Sequence, residues 1–309
     1  MHDNDSAATR GQWPATAFIL GPPRSGTSLL YKVLCLHPDT SYVSNWVARV
    51  PSRPEFAAVN RMARRKTDMR QQSWFDQEGN AYVYGGRRSM VRRAFPKPVE
   101  GEPLYASCGI NKAGESADRN RSVALLRKRV SKIHSYSGGG SHFINKRVAN
   151  NRRVLLLQEA FPDAKFVAVV RDGRAVANSL SRVDWWPTEL VWWYGNTPQH
   201  WAAEGGDPWE LCAQDWVHEL NAMEAGLAEV DDDRKMLIRY EDLIDDPIGC
   251  LTRIAGFVGL APSNDWQERL GQLTFPNKNV AWREQVPAEA VDVITEIQHD
   301  ALERYGYPL

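Results

Sequence analysis

The 309-residue chain has no surplus of charge of either sign: 38 Lys and Arg stand against 38 Asp and Glu. A net charge of zero supplies no global field to draw in nucleic acid or an anionic membrane surface, so any anion has to be bound locally. Cysteine is scarce as well. The four thiols, Cys35, Cys108, Cys212 and Cys250, form no Cys-x-x-Cys pair, and no His is spaced to complete a zinc site with them. They read as reduced core residues. No apolar run approaches the roughly 18 residues that a membrane helix needs, and the opening Met-His-Asp-Asn-Asp lacks the basic start and apolar stretch of a signal peptide. The expectation is a cytoplasmic protein with no membrane span and no nucleic-acid partner, and no oligomeric state is implied.

What is present is enough apolar residue, 43% of the chain, to build the sizeable core of one large α/β domain. Charge is balanced only globally. Residues 61–97 hold ten Lys or Arg and three acids, whereas residues 219–246 hold ten acids and three basic residues, which is either two solvated faces or a basic rim over an anionic ligand. Residues 1–14 are polar and predict a flexible tail, leaving 15–309 as a single domain.

Ala17-Phe18-Ile19-Leu20 predicts a short buried strand, broken by Gly21-Pro22-Pro23, with a helix from Thr27 that carries Leu29, Leu30, Val33 and Leu34 at helical spacing. From 45 to 120 periodicity is weak, and the segment reads as helices and loops packed over the sheet. Gly138-Gly139-Gly140 introduces a strand at Phe143-Ile144, and Val154–Phe161 a helix. Phe166–Val170 is a β-branched run of the kind buried on both faces of a parallel sheet. Trp209–Val230 carries a helical apolar stripe, Met236-Leu237-Ile238 a further strand, and Pro247 opens a helix that Gly259 closes. Strands alternating with helices predict a three-layer α/β domain of P-loop type, a mostly parallel sheet flanked by helices.

Gly21-Pro22-Pro23-Arg24-Ser25-Gly26-Thr27-Ser28 lies between the first strand and the first helix, where backbone N–H groups and the positive end of the helix converge. The glycine spacing is that of a Walker A loop, but Thr27 stands in the lysine position and the cation has moved to Arg24. A turn with capping hydroxyls is the plainer alternative. It needs one hydroxyl, and this loop offers Ser25, Thr27 and Ser28 beside a guanidinium. Arg171 sits at the carboxyl end of the most apolar strand, where ligands bind in open α/β sheets, and Ser179 follows about two helical turns later.

Together these segments resemble the 3′-phosphoadenylyl sulfate-dependent sulfotransferases. Their 5′-phosphate motif is similar to Pro23–Ser28 and their 3′-phosphate motif to Val170-Arg171-Asp172 through Ser179. Asn145-Lys146, Phe161–Lys165 and Arg239-Tyr240-Glu241-Asp242-Leu243 followed by Asp246-Pro247 extend the resemblance over residues 16–307, loosely in 45–120. The resemblance implies that the donor is 3′-phosphoadenylyl sulfate and the product adenosine 3′,5′-bisphosphate, with no metal required. It implies a catalytic place for Lys146 near the transferring group, an adenine contact for Tyr240 and a 3′-phosphate contact for Lys278 or Arg283.

Sulfuryl transfer is an in-line displacement in which fixed cations stabilise the charge that grows on the leaving oxygen, and Arg24 with the amides of Gly26 and Thr27 fits that part. An acceptor hydroxyl also needs a general base. Cytosolic relatives place a His where Val148 stands, and tyrosylprotein sulfotransferases a Glu near Ser44 and Asn45, so neither base carries over. His142 is the first substitute, since four residues before Lys146 on a strand share its face; Glu55, Glu100 and Glu102 follow. Twelve Trp residues, among them Trp185-Trp186 and Trp192-Trp193-Tyr194, suggest an aromatic pocket for a sugar, phenol or lipid-like metabolite. The alternatives are a P-loop kinase, with Asp172 as metal ligand, and a nucleotide-binding module without activity.

Overall fold

The computed structural model describes residues 13–75, 94–112, 118–138 and 140–309. The expected tail falls almost wholly outside the described residues, as do much of the arginine-rich stretch and Gly139. Five strands, β1 (Ala15–Leu20), β2 (Thr40–Ser41), β3 (His142–Lys146), β4 (Lys165–Val170) and β5 (Lys235–Arg239), form one parallel sheet in the order β2-β3-β1-β4-β5. The central strand β1 therefore has β3 on one side and β4 on the other, and its carboxyl end is the point where the chain's course across the sheet reverses, the crevice in which open α/β sheets bind ligands.

Alternation along the strands sorts side chains into two layers of core. Phe18, Leu20, Phe143, Phe166 and Ala168 point to one face, Ala17, Ile19, Ile144, Val167 and Val169 to the other. The first face is covered by α2 (Arg119–Tyr136), α3 (Val154–Ala160), α5 (Pro208–Ala228) and α7 (Ala288–Arg304). The second is covered by α1 (Thr27–Leu34) and α6 (Pro247–Val258). Burial on both sides is why β1 and β4 read as continuous apolar runs, and the three-layer α/β reading holds. A third cluster joins α4 (Gly173–Leu180), Trp186, Trp282 and the start of α7.

Local chemistry places the helix ends. Asp246 accepts from the Gly249 amide at the start of α6, Pro247 occupies the first turn, and Gly259 ends the helix at φ 89°, a conformation open to glycine. Two long helices were not read from the sequence. In α2 the buried residues Val123, Leu126, Val130 and Ile133 recur at helical spacing, but Arg119, Arg121, Arg127, Lys128, Arg129 and Lys132 dilute the signal. In α7, Ala290, Ile294, Ala301 and Leu302 form a similar stripe. The two-residue β2 carries too little pattern to be seen without its partner β3.

Candidate active site

Four parallel strands deliver the candidate residues to one edge of the sheet. β1 runs into Gly21–Ser28, β3 ends at Lys146, β4 delivers Arg171 and β5 delivers Tyr240. Ile19 and Lys146 are register partners across β1 and β3, which sets the lysine beside the loop.

The loop closes tightly. Gly21 takes φ 145°, and a Cβ there would lie 2.4 Å from the Val169 carbonyl oxygen. The Gly21 N–H donates to Asn151 Oδ1 (2.9 Å), and its carbonyl accepts from Asn151 Nδ2 (3.1 Å). Arg24 is the one non-glycine residue at positive φ, 67°, among the described residues. Such a conformation is retained where surrounding contacts over-determine it. Here Arg24 Nε donates to Ser179 Oγ (2.9 Å), and the Arg24 carbonyl accepts from Arg171 Nη1 (2.9 Å). The two halves of the sequence pattern, 147 and 155 residues apart, thus hold each other.

α1 has Gly26 at its N-cap with no side chain capping it, and the buried Ser25 Oγ has no hydrogen-bond partner among the described residues. A buried hydroxyl without a partner is costly, and together with uncapped first-turn amides it suits an oxyanion seated in the loop. Beside it lies a cavity of about 530 Å³ bordered by Arg24, Gly26, Thr27, Ser28, Arg171, Ser179, Arg182 and Lys278. Its lining includes four cations and no carboxylate. Arg182, absent from the sequence reading, comes in one turn after Ser179.

Arg171 is fixed from all sides: Nε donates to Asn279 Oδ1 (2.9 Å), Nη2 to the Lys278 carbonyl (2.8 Å), and the guanidinium lies 4.5 Å from the centre of the Tyr240 ring. Tyr240 itself is fully buried under the Arg171 guanidinium and does not border this cavity. Of the two C-terminal cations, Lys278 borders the cavity, whereas Arg283 is exposed and packs on Trp282. Asp172 has both carboxylate oxygens engaged by Arg174 (3.0 Å each) and caps α4, so it does not face the ligand space.

A second cavity of about 310 Å³ lies on the other side of Arg24 and Ser28, which border both. Lys146 reaches it from β3, and its ammonium is bonded to Glu100. The Glu100 carboxylate keeps 44% of its side-chain surface exposed and also accepts from the Val148 N–H (3.4 Å). Burial opposes its charge, yet the Lys146 ammonium and the Val148 N–H outweigh that and hold the Glu100 carboxyl below its ordinary range. The residue that replaces the familiar histidine thus supplies a backbone donor to a carboxylate from another part of the chain. Asn145 steadies that carboxylate's backbone: Nδ2 donates to the Glu100 carbonyl (3.3 Å) while Oδ1 accepts from Tyr105 (2.8 Å).

Around the same cavity Arg147 pairs with Glu102, Lys112 with Glu189, and Arg152 with Glu219, each at 2.5 Å. Trp185, Trp186 and Trp192 supply apolar wall; Trp193 and Tyr194 do not reach it. Among the base candidates, His142 lies at the opposite edge of the sheet. It pairs in register with Ala15, about 13 Å along β3 from Lys146, and its ring meets Ser141 Oγ (2.6 Å). The shared face is real but the shared end is not. Glu55 borders neither cavity. Ser44 caps the helix Asn45–Arg49 and Asn45 accepts from the Lys97 amide, so both are structural.

An uncapped helix start beside a cation-lined cavity, which shares Arg24 and Ser28 with an aromatic cavity holding a lysine–glutamate pair, suits a group-transfer enzyme that binds an anion. A family model described as the sulfotransferase family matches residues 15–265, and the chain belongs to that family, whose chemistry is sulfuryl transfer. Similar proteins include omega-hydroxy-beta-dihydromenaquinone-9 sulfotransferase Stf3 of Mycobacterium bovis, 25% identical over 304 residues that cover 94% of this chain and 74% of the relative. Protein-tyrosine sulfotransferase of Drosophila melanogaster is 24% identical over 269 residues, 85% of this chain and 41% of the relative. Among solved structures, sulfotransferase STF9 from Mycobacterium avium shares the fold with a TM-score of 0.60 at 16% identity, over 96% of this chain and 78% of that one.

Proposed function

We propose that this chain moves the sulfuryl group of 3′-phosphoadenylyl sulfate to a hydroxyl or amine of a small acceptor, with the donor in the cation-lined cavity and the acceptor in the aromatic one. The observation that carries this reading is the position of Arg24 and Ser28 on the wall common to both cavities. The bound donor supplies a sulfuryl group whose bond to the 5′-phosphate oxygen breaks as the acceptor oxygen attacks. The loop amides, Ser25 and Arg24 hold the 5′-phosphate and stabilise the charge it gains on leaving. Arg171, Ser179 and Lys278 hold the 3′-phosphate. Lys146 stands at the transferring group, and Glu100 takes the acceptor's proton.

Glu100 is assigned the base because it borders the acceptor cavity in contact with Lys146 and is held ionised, ready to accept. When Lys146 turns toward the transferring group, Glu100 loses its strongest cationic neighbour and becomes the better base. We read residues 15–309 as one domain, since both the 94–112 segment and the Asn277–Gln285 segment border the cavities. No described helix is long and apolar enough to cross a membrane, and four buried free thiols suit the reducing cytoplasm, where we place the protein.

Thermal melting tests the donor site. Adenosine 3′,5′-bisphosphate is expected to stabilise the protein without Mg²⁺ and more than adenosine 5′-phosphate does, and Arg171→Ala is expected to abolish that difference. Stabilisation by ATP only, and only with Mg²⁺, would indicate a kinase instead.

A further inference from the structure

Of the charged residues around the acceptor cavity, four acids and four bases are matched as the ion pairs described above, and Arg24 belongs to the wall shared with the donor. One charge remains. Asp215 is 4% exposed, borders the cavity, and has no cation within ion-pairing distance among the described residues; its one hydrogen bond is from Trp193 Nε1 (3.2 Å). One helical turn further along α5 stands Glu219, already occupied by Arg152 Nη1 (2.5 Å), Asn151 Nδ2 (2.7 Å) and Trp192 Nε1 (2.9 Å). Burial raises both carboxyls; Glu219 has Arg152, Asn151 and Trp192 to offset it, whereas burial followed by Glu219 pushes Asp215 up to about 8, with Glu189 adding to the same effect. Asp215 gives up its proton once a cation sits beside it, since the ionised pair has only Arg152 to balance two carboxylates.

The walls beside it suit that missing charge. Trp185 and Trp186 meet edge to face at 6.2 Å, and indole is the best ring partner for an ammonium ion. The cavity, about 310 Å³, is at the small end of ligand pockets, which run from about 300 to 1,000 Å³. We propose that the acceptor is a small hydroxyl compound bearing an ammonium group, which Asp215 and the Trp185–Trp186 corner hold while the hydroxyl faces Lys146. The inference rests on the sulfotransferase reading only for where the hydroxyl reacts; the ammonium site itself is a matter of binding.

Three phenols of one shape test it by calorimetric titration into the protein, with and without adenosine 3′,5′-bisphosphate: tyramine, 4-ethylphenol and 4-hydroxyphenylacetate. Tyramine is expected to bind about ten-fold or more tightly than the neutral analogue, and the anion most weakly. Asp215→Asn, which keeps an acceptor for Trp193, is expected to bring tyramine down to the affinity of 4-ethylphenol. Its retained binding of the bisphosphate, whose cavity Asp215 does not border, would show that the variant is folded. Equal binding of tyramine and 4-ethylphenol by the parent protein, or binding of none of the three, overturns the ammonium site. Failure of the bisphosphate to bind counts separately, against the donor assignment.

Discussion

Lys146 and Glu100 are 46 positions apart and meet in one ion pair that borders the aromatic cavity. An ion pair with one partner 5% and the other 44% exposed is a modest source of stability, so its place beside Arg24 and Ser28 is better explained by chemistry than by folding. The prediction at this scale separates two bases. Glu100→Gln is expected to lower turnover by about 10²–10⁴-fold with little change in bisphosphate affinity. His142→Gln, at the far edge of the sheet, is expected to leave turnover nearly unchanged. Steady-state rates with one acceptor decide, and equal losses in both variants would remove Glu100 from the mechanism. Tyr240 shows how a motif residue can serve at one remove: buried under the Arg171 guanidinium, it positions the cation that borders the cavity.

The decisive element is the loop between β1 and α1. Its shape is set by backbone crowding: Gly21 passes so close to the Val169 carbonyl that a methyl group has no room, while Arg24 is held at positive φ by Ser179 and Arg171. Gly21→Ala is therefore expected to cost about 1–3 kcal/mol in stability and to weaken bisphosphate binding more than acceptor binding. Denaturant unfolding and nucleotide titration check the two halves of this expectation. Strands β1 and β4 were legible because burial on both faces selects continuous apolar runs, β3 and the edge strand β5 from the shorter apolar stretches Phe143-Ile144 and Met236-Leu237-Ile238, and α6 because Pro247 and Gly259 mark its ends. Helix α2 was not, because its buried stripe is interleaved with cations that make sense only once the loop and helix neighbours they bind are in place.

At the scale of the molecule, the sheet gathers a cation-lined cavity and an aromatic cavity at one edge, and the aromatic cavity carries a stability cost. In the unfolded chain Asp215 ionises in the ordinary carboxylate range, whereas in the folded protein burial and Glu219 keep it protonated up to about 8. Between those limits the unfolded state gives up its proton first, so this group destabilises the fold increasingly as pH rises and adds nothing below the ordinary range. Asp215→Asn is expected to raise the melting temperature, by more at pH 8 than at pH 5, as measured by calorimetry across that range. A smaller gain at pH 8 than at pH 5 would contradict it. A group that weakens the fold while bordering a ligand cavity fits a binding role.

By itself the sequence determined the parallel α/β class, the tight loop at Gly21–Ser28 and the strand-end Arg171, because each is written in a local pattern: a two-faced apolar strand, a glycine-spaced turn before a helix, a cation at a strand end. The tertiary structure alone decided that Glu100 faces Lys146, that Arg182 and Lys278 border the cation-lined cavity while Arg283 does not, that His142 is at the other end of β3 from Lys146, and that Asp215 has no counter-ion among the described residues. Those facts depend on which chain segments cross the carboxyl edge of the sheet and at what register. Contacts between residues tens of positions apart leave no periodicity for a sequence to display.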